Sequence, residues 1–157
     1  MKKNLKIIAV YFSAVIVALA LNSCRLDDDD NPHNNSNTPA AVSNIVTAGT
    51  WRITSYNDSG VDKTGLYTGI NFVFSGNNTL TAIDGNSSYP GTWSVTDSNS
   101  NDDSVNDLDF NIMFSSPAKL AELNDDWDIL EKSNNVIKLI DVSGGNGGTD
   151  YLTFTKN

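Results

Sequence analysis

The regular alternation of large apolar and polar side chains constrains the fold of this chain of 157 residues more than any other feature. It is clearest where Leu108, Phe110, Ile112 and Phe114 occupy every second position. Successive side chains of a β-strand point to opposite faces, so a period of two predicts a strand with one buried face. The chain therefore needs a sheet that packs one face on a core and exposes the other to water.

Seven further segments combine this pattern, or a shorter run of β-forming residues, with turn residues at their ends. The first of them opens with Gly49-Thr50-Trp51, and Gly76-Asn77-Asn78 marks a tight turn later in the chain. In total, eight strands are predicted, at residues 49–57, 70–75, 79–83, 91–96, 108–114, 126–132, 135–142 and 151–156.

The segments between these strands predict loops and one short helix. Ser116-Pro117 precedes several good helix formers, which predicts a helix over 116–123 with Ser116 as its cap and Pro117 at its first position. Three segments without a period, rich in Gly, Asp, Asn and Ser, predict loops at residues 58–69, 85–90 and 97–106.

Eight short strands joined by turns favour an all-β fold, an eight-stranded antiparallel barrel with one short helix. Closure is favoured because it removes edge strands that would otherwise pair with neighbouring chains. The main alternative is an outer-membrane barrel, whose strands need about 9 to 11 residues and an outward apolar band. The predicted strands are mostly shorter and have polar outer faces, which argues against that alternative.

The first residues have the composition of an export signal. Lys2, Lys3 and Lys6 precede an apolar run of roughly 15 residues, and small residues follow it. A helix that spans a bilayer needs about 20 apolar residues, and this run ends sooner. We therefore divide the chain into a cleaved signal peptide, a disordered acidic and Asn-rich tether that cannot bury enough apolar surface to fold, and one domain, at residues 1–23, 24–40 and 41–157.

The segment Leu21-Asn22-Ser23-Cys24 resembles the lipobox of bacterial lipoproteins. The resemblance implies that the peptide is cut before Cys24, that its thiol is diacylated, and that the protein is anchored to the outer membrane. Two or three acyl chains hold a protein firmly where a single chain holds it only marginally. The alternative is a soluble export signal in which Cys24 has no role.

Acidic residues dominate the mature chain. Residues 1–23 contain three of the ten basic residues and none of the nineteen acidic ones, so cleavage leaves a net charge of −12. Such a surface repels nucleic acid phosphates, which excludes a nucleic acid partner. The run Asp27 to Asp30 is typical of a solvated linker. It also resembles the acidic signals that direct lipoproteins of Bacteroidetes to the cell surface.

The folded part resembles the lipocalin-like domains of Bacteroidetes lipoproteins. The resemblance covers about residues 44–157 and is carried by Gly49-Thr50-Trp51 at the first strand, a second Gly-x-Trp at Gly91-Thr92-Trp93, and the terminal strand at residues 147–154. It implies a lipocalin-like β-barrel that holds a small apolar ligand. Classical lipocalins have an arginine near the last strand that stacks over the motif tryptophan, and this chain has Lys156 there.

Two interpretations of the barrel interior follow. Its aromatic side chains either line a cavity for a small apolar ligand, with Phe72, Phe74, Trp93, Phe110 and Phe114 as the binding residues, or fill the barrel together with Trp127 and Phe154. A filled barrel predicts a structural or protein-interaction module that uses its loops. A void below roughly 300 Å³ cannot take a drug-sized ligand. In both cases we expect a monomer attached to the membrane, with an apolar ligand or an envelope protein as partner.

The residues needed for common chemistry are missing from the predicted domain. His33, the sole histidine, lies in the tether, and Cys24, the sole cysteine, is the predicted anchor, so neither a nucleophilic triad, a zinc site nor a disulfide is expected. The carboxylates of Asp125, Asp126 and Asp128 are close enough in sequence for acid–base work, but such acids are expected on an acidic surface. We predict no enzyme activity and no cofactor.

Residues 97–106 could form either a calcium loop or a solvated loop. Asp97, Asn99, Asn101 and Asp103 have the spacing of the first ligands of a calcium loop. The sixth position has Asp102 instead of Gly, and the twelfth has a leucine instead of the bidentate Glu. The sequence therefore favours a solvated loop, and no metal site is predicted.

Trp51 is predicted to close one end of the barrel. It follows Gly49 at the start of the first strand and shares a face with Ile53. The apolar segment 42–47 precedes it and predicts a helical turn over that end.

Overall fold

The computed structural model describes residues 37–98, 108–143 and 147–157. These residues form nine strands, two α-helices and one 3-10 helix. The helices are α1 (Pro39–Val46), α2 (Ala118–Ala121) and the 3-10 helix Thr64–Tyr67. The strands are β1 (Thr50–Asp58), β2 (Val61–Asp62), β3 (Ile70–Phe74), β4 (Thr79–Asp84), β5 (Ser87–Asp97), β6 (Leu108–Phe114), β7 (Asp125–Lys132), β8 (Val136–Val142) and β9 (Thr149–Lys156).

The strands form one closed antiparallel barrel. From β3 to β9 each strand pairs with the next, β3 pairs with β1, and β9 pairs back with β1. The short β2 pairs only with the end of β1 and is additional to the barrel. The predicted eight-stranded antiparallel barrel is therefore confirmed.

The barrel interior is apolar because alternate residues of each strand face inward. The clearest case is β6, whose Leu108, Phe110, Ile112 and Phe114 are all buried. One cluster contains all the buried hydrophobic side chains, including Val42 and Val46 of α1 and Leu120 of α2. Within residues 37–98, 108–143 and 147–157, no helix is long and apolar enough to cross a membrane.

The predicted turn at 85–90 is too long. β5 begins at Ser87, which pairs with Asp84, so Gly85 and Asn86 alone make the turn. Pro90 lies within β5 although proline cannot donate to a ladder. In the barrel Pro90 pairs with β4 on one side, and the pairing with β6 begins only at Gly91. The missing N–H of Pro90 therefore removes no hydrogen bond from the β5–β6 ladder.

The predicted loop at 58–69 is also more structured than expected. Ser59 and Gly60 turn the chain with positive φ values of 50° and 90°, and the Gly60 N–H donates to Asn57 Oδ1 at 2.8 Å. β2 and the 3-10 helix follow, and Tyr67 is fully buried. A two-residue strand and a single helical turn are too short to produce a sequence period, so the pattern predicted only a loop.

Both helices differ from their predictions. α1 has eight residues instead of a single turn, and Thr38 caps it by accepting a hydrogen bond from the Ala41 N–H at 3.2 Å. It begins at Pro39, so Pro39 and Ala40, which the sequence assigned to the tether, belong to the helix. α2 is shorter than predicted, and Pro117 rather than Ser116 is its N-cap.

Candidate functional site

The five residues predicted to bind a ligand inside the barrel lie together, and they contact one another. Phe72, Phe74, Phe110 and Phe114 are each at most 1% exposed, and Trp93 is 5% exposed. Their rings pack mainly edge to face, with centroid distances of 5.4 Å for Phe74–Trp93, 5.6 Å for Phe74–Phe110 and 6.5 Å for Phe72–Phe114. Such pairs stabilise beyond the area they bury, by about 0.5–1.5 kcal/mol each.

Trp127 and Phe154, the other large aromatics expected in a filled barrel, belong to the same core. The Phe154 ring lies 5.4 Å from the Phe72 ring and 5.6 Å from the Phe74 ring, measured between centroids. The rings thus pack on one another inside the barrel. Of the predicted ligand-binding residues, Trp93 alone also lines a groove on the outer surface of β5 and β6.

The end of the barrel where β1 begins is covered by α1 and is called the α1 end. Trp51 is fully buried there, and its indole Nε1–H donates to the Val46 carbonyl at 2.8 Å. The predicted closure of this end by Trp51 is confirmed. The Lys156 ammonium lies 5.1 Å from the centroid of the Trp51 ring, within the range of a cation–π interaction.

The opposite end is closed by α2 and the residues that follow it, and is called the α2 end. Three aromatic side chains donate to carbonyls in and just after this short helix: Tyr67 to Lys119 at 2.7 Å, Tyr56 to Glu122 at 2.9 Å, and Trp127 to Leu123 at 3.0 Å. The rings also contact one another, with Tyr56 5.6 Å from Tyr67 and 6.3 Å from Trp127.

Burial changes the ionisation of the α2 end. Desolvation, reinforced by the charges of Asp58 and Asp150, raises the pKa of the Tyr56 phenol to about 12. Desolvation also raises the pKa of Tyr67, and the neighbouring Tyr56 adds to that effect. Lys63 bridges Asp58 and Glu122 at this end, and these hydrogen bonds raise the pKa of its ammonium.

A groove of about 460 Å³ lies on the outer face of β5 and β6. We call it the β5–β6 groove. Thr92, Ser94 and Thr96 of β5 contribute to it, with Asn111 and Met113 of β6 beside them. Its remaining lining residues are Asn78, Trp93, Ile112, Asn124 and Asp125.

Several polar side chains of the β5–β6 groove are held in place by hydrogen bonds. The Asn78 Nδ2 group donates to the Trp93 carbonyl at 3.1 Å, and the Asn111 Nδ2 group donates to Thr96 Oγ1 at 3.1 Å. Asn124 bonds the Phe114 backbone twice, accepting from its N–H at 2.6 Å and donating to its carbonyl at 3.0 Å. The groove walls are therefore largely ordered by the protein's own contacts.

Asp125 is the single charged residue in the described lining of this groove. Partial burial raises the pKa of its carboxyl to about 6, and the nearby charges of Asp141 and Asp126 act in the same direction. Asp126 and Asp128 pair with Asn111 and Asp109 and share the outer face of β7, whereas Asp125 has the strand parity of the buried Trp127. The three acids weighed for acid–base work therefore do not all lie on one face.

Other sequence predictions fall outside the described residues. These are the signal peptide, Cys24, most of the tether with His33, and residues 99–106 of the loop considered for calcium. In the part of the chain that the structure describes, no group of three or more His, Cys, Asp or Glu side chains has the arrangement of a metal site.

Sequence reasoning missed the β5–β6 groove. A signal was present, because every outward position from Thr92 to Thr96 has a hydroxyl and the neighbouring Asn111 has an amide. The pattern was interpreted only for its inward residues.

No family model matches this chain, and no curated protein matches it. Among solved structures, the chain is similar to the crystal structure of a DUF4847 family protein from Bacteroides vulgatus. The TM-score is 0.46 and the identity 19%, over 74% of this chain and 97% of that one.

Proposed function

We propose that this chain is a lipid-anchored, non-enzymatic protein of the cell envelope, with a structural barrel interior and an outer surface that does the binding. The packing of the interior aromatics is the observation that carries the choice between a hollow and a filled barrel. Phe72, Phe74, Phe110, Phe114 and Phe154 contact one another where a ligand would have to lie. This favours the interaction module over the carrier of an apolar ligand.

The anchor is supported by the sequence. Leu21 to Cys24 has the pattern of a lipobox, and an apolar run after three lysines precedes it. On this proposal the mature protein begins at Cys24 and stays attached to the outer membrane as a monomer. The acidic run Asp27 to Asp30 supports a position at the cell surface.

The lipocalin-like character is supported by one contact. Lys156 lies over the Trp51 ring, in the place where classical lipocalins have an arginine. The absence of an enzyme activity is supported by composition, because residues 37–157 contain neither histidine nor cysteine. A nucleophile–histidine pair is therefore excluded for the barrel.

Cell fractionation tests the anchor. We expect the wild-type protein in the membrane fraction and Cys24→Ala in the soluble fraction, because the acyl chains supply the membrane affinity. Ser23→Ala, which keeps a small residue before the cysteine, is the matched control and should remain in the membrane. Unchanged membrane retention of Cys24→Ala would contradict the anchor. Protease treatment of intact cells then reports surface exposure.

A fluorescence titration tests the filled interior separately. The apolar dye N-phenyl-1-naphthylamine is added to the folded protein, and its emission is followed. We expect no saturable signal, because the interior aromatics pack on one another where the dye would have to bind. One-to-one binding that Phe110→Ala changes and Tyr151→Ala does not would restore the ligand carrier, since Phe110 is fully buried and Tyr151 is 45% exposed.

A further inference from the structure

The β5–β6 groove is built from neutral polar groups in a protein that is otherwise strongly acidic. Its described lining has six Asn, Ser and Thr side chains, no Lys or Arg, and the single acid Asp125. Its volume of about 460 Å³ is within the roughly 300–1,000 Å³ of small-molecule sites.

Several of these polar groups are available to a ligand. Thr92 Oγ1 and Ser94 Oγ have no hydrogen-bond partner among the residues that the structure describes. Asn78 and Asn111 are each held through their Nδ2 groups, which leaves their Oδ1 atoms pointing away from those bonds as acceptors. Groups that are already ordered lose little conformational freedom when a ligand binds, so the groove is prepared for hydroxyl-rich partners.

The lining argues against three other classes of ligand. Phosphate, sulfate and carboxylate groups would find no cation in the described lining. An apolar ligand would remain largely in water, because the groove is open to solvent. An extended peptide could not insert between the two strands, because β5 and β6 pair with each other without interruption from Gly91–Phe114 to Asp97–Leu108.

A second depression extends the groove along the barrel. It has a volume of about 220 Å³ and is lined by Pro90, Gly91, Thr92, Met113 and Ser115. Thr92 and Met113 belong to both depressions and pair with each other across β5 and β6. Met113 is 61% exposed, so its flexible thioether offers an apolar contact between two polar subsites.

Gly91 lines the second depression through its backbone. A Cβ atom at this position would lie 2.6 Å from the Met113 carbonyl oxygen and 2.7 Å from the buried Phe114 ring. Only glycine therefore lets Phe114 pack this closely against β5 on the inner side of the barrel wall.

We propose that the β5–β6 groove and its extension bind a neutral oligosaccharide, with sugar hydroxyls on Thr92, Ser94, Asn78 and Asn111 and the C–H face of a ring against Met113. The inference deepens the proposed function, because it names the surface and the class of ligand. A chain of at least two sugar units is required, since the two depressions lie on either side of the Thr92–Met113 pair.

Isothermal titration calorimetry on the full chain tests the proposal. The protein is kept in a zwitterionic detergent, because a maltoside headgroup would itself compete for the groove. The probes are maltotriose, cellotriose, mannotriose and triacetylchitotriose, with trigalacturonic acid as an anionic comparison. We expect saturable one-to-one binding of at least one neutral trisaccharide and no binding of the anionic one.

Matched variants locate the site. Thr92→Val should weaken binding about fivefold, the size of one lost hydrogen bond, and Met113→Glu should weaken it at least tenfold by replacing the apolar contact with a hydrated charge. Thr153→Val on β9 and Leu130→Glu on β7 make the same changes outside the groove and should leave binding unchanged. Circular dichroism checks that each variant is folded.

Three results would overturn the inference. They are the absence of saturable binding to all four neutral trisaccharides, binding that both groove variants leave intact, and sedimentation velocity showing a dimer that Met113→Glu dissociates. The last result would make the groove a contact between two copies of the chain. None of them bears on the anchor or the filled interior, which the fractionation and dye experiments test separately.

Discussion

The two ends of the barrel differ in how many aromatic side chains donate hydrogen bonds to the carbonyls of the covering helix. A helix leaves its last carbonyls without partners, and a buried carbonyl needs one. At the α1 end, Trp51 alone donates to Val46 at the end of the helix. At the α2 end, Tyr56, Tyr67 and Trp127 donate to three carbonyls.

The difference follows from the lengths of the two helices. α1 has eight residues, with Pro39 at its first turn and a Thr38 cap, so local interactions already favour it. α2 has four residues and no side-chain cap, which is too short to be stable in water. A closure without local stability depends on hydrogen bonds from other elements, and two of the three bonds come from tyrosines, which titrate.

The largest expected effect is at the α1 end. Trp51→Ala should lower the free energy of unfolding by roughly 3–5 kcal/mol, because it leaves a cavity and an unpaired Val46 carbonyl. That is a large part of a typical margin of about 5–15 kcal/mol. Urea denaturation of a fragment from Asn37, which keeps the Thr38 cap, measures it.

Tyr151→Ala is the matched control for this experiment, because Tyr151 is 45% exposed on β9. It should cost less than about 1 kcal/mol, as surface changes usually do. A loss of that size for Trp51→Ala as well would mean that α1 alone closes its end.

The next effect concerns the two tyrosine hydrogen bonds at the α2 end. Tyr56→Phe and Tyr67→Phe should each cost about 1 kcal/mol at pH 7, the net contribution of one hydrogen bond. Tyr89→Phe should cost almost nothing, since the described residues offer the Tyr89 hydroxyl no partner. Urea midpoints at neutral pH provide the comparison.

Alkaline titration sharpens this prediction. The pKa of Tyr56 is raised from about 10 to about 12, so the unfolded chain ionises first. Stability from this phenol is complete below pH 10 and is lost as the pH rises towards 12. Tyr56→Phe should flatten that loss. An equally steep loss in the variant would place the alkaline transition elsewhere.

The smallest effect concerns Asp125, at the start of β7 beside the α2 end. The pKa of its carboxyl is raised from 3.8 to about 6, so its contribution to stability is complete below about pH 4 and is lost as the pH rises through 6. Asp125→Asn should remove this dependence. The resulting change in the free energy of unfolding should stay below about 1 kcal/mol, because the side chain is partly solvated. Urea midpoints at pH 4 and pH 7.5 measure it.

Asp62→Asn is a control with the opposite sign. Hydrogen bonds from Thr64 lower the pKa of the Asp62 carboxyl, so its contribution is present above the ordinary pKa and is lost as the pH falls. The Asn variant should therefore be less stable than wild type at pH 7.5 and approach it at low pH. If both Asn variants changed the pH dependence of stability in the same direction, the opposite pKa shifts of Asp125 and Asp62 would be contradicted.

Much of the barrel could be predicted from sequence because its signals are local. The period of two at Leu108 to Phe114 predicted β6 with its observed limits. Gly49 and Trp51 predicted which residues close the α1 end. This was possible because Trp51 and the helix that covers it are close in sequence.

The remaining features depend on contacts between residues far apart in sequence. The hydrogen bond from Tyr56 to Glu122 joins residues 66 positions apart, and the one from Tyr67 to Lys119 joins residues 52 apart. No local pattern could therefore predict how the α2 end is closed. The five aromatics predicted to bind a ligand belong to both interpretations of the barrel. Their composition is compatible with a lining or a filling, and the choice depends on how strands curve and rings interlock, which is a property of packing.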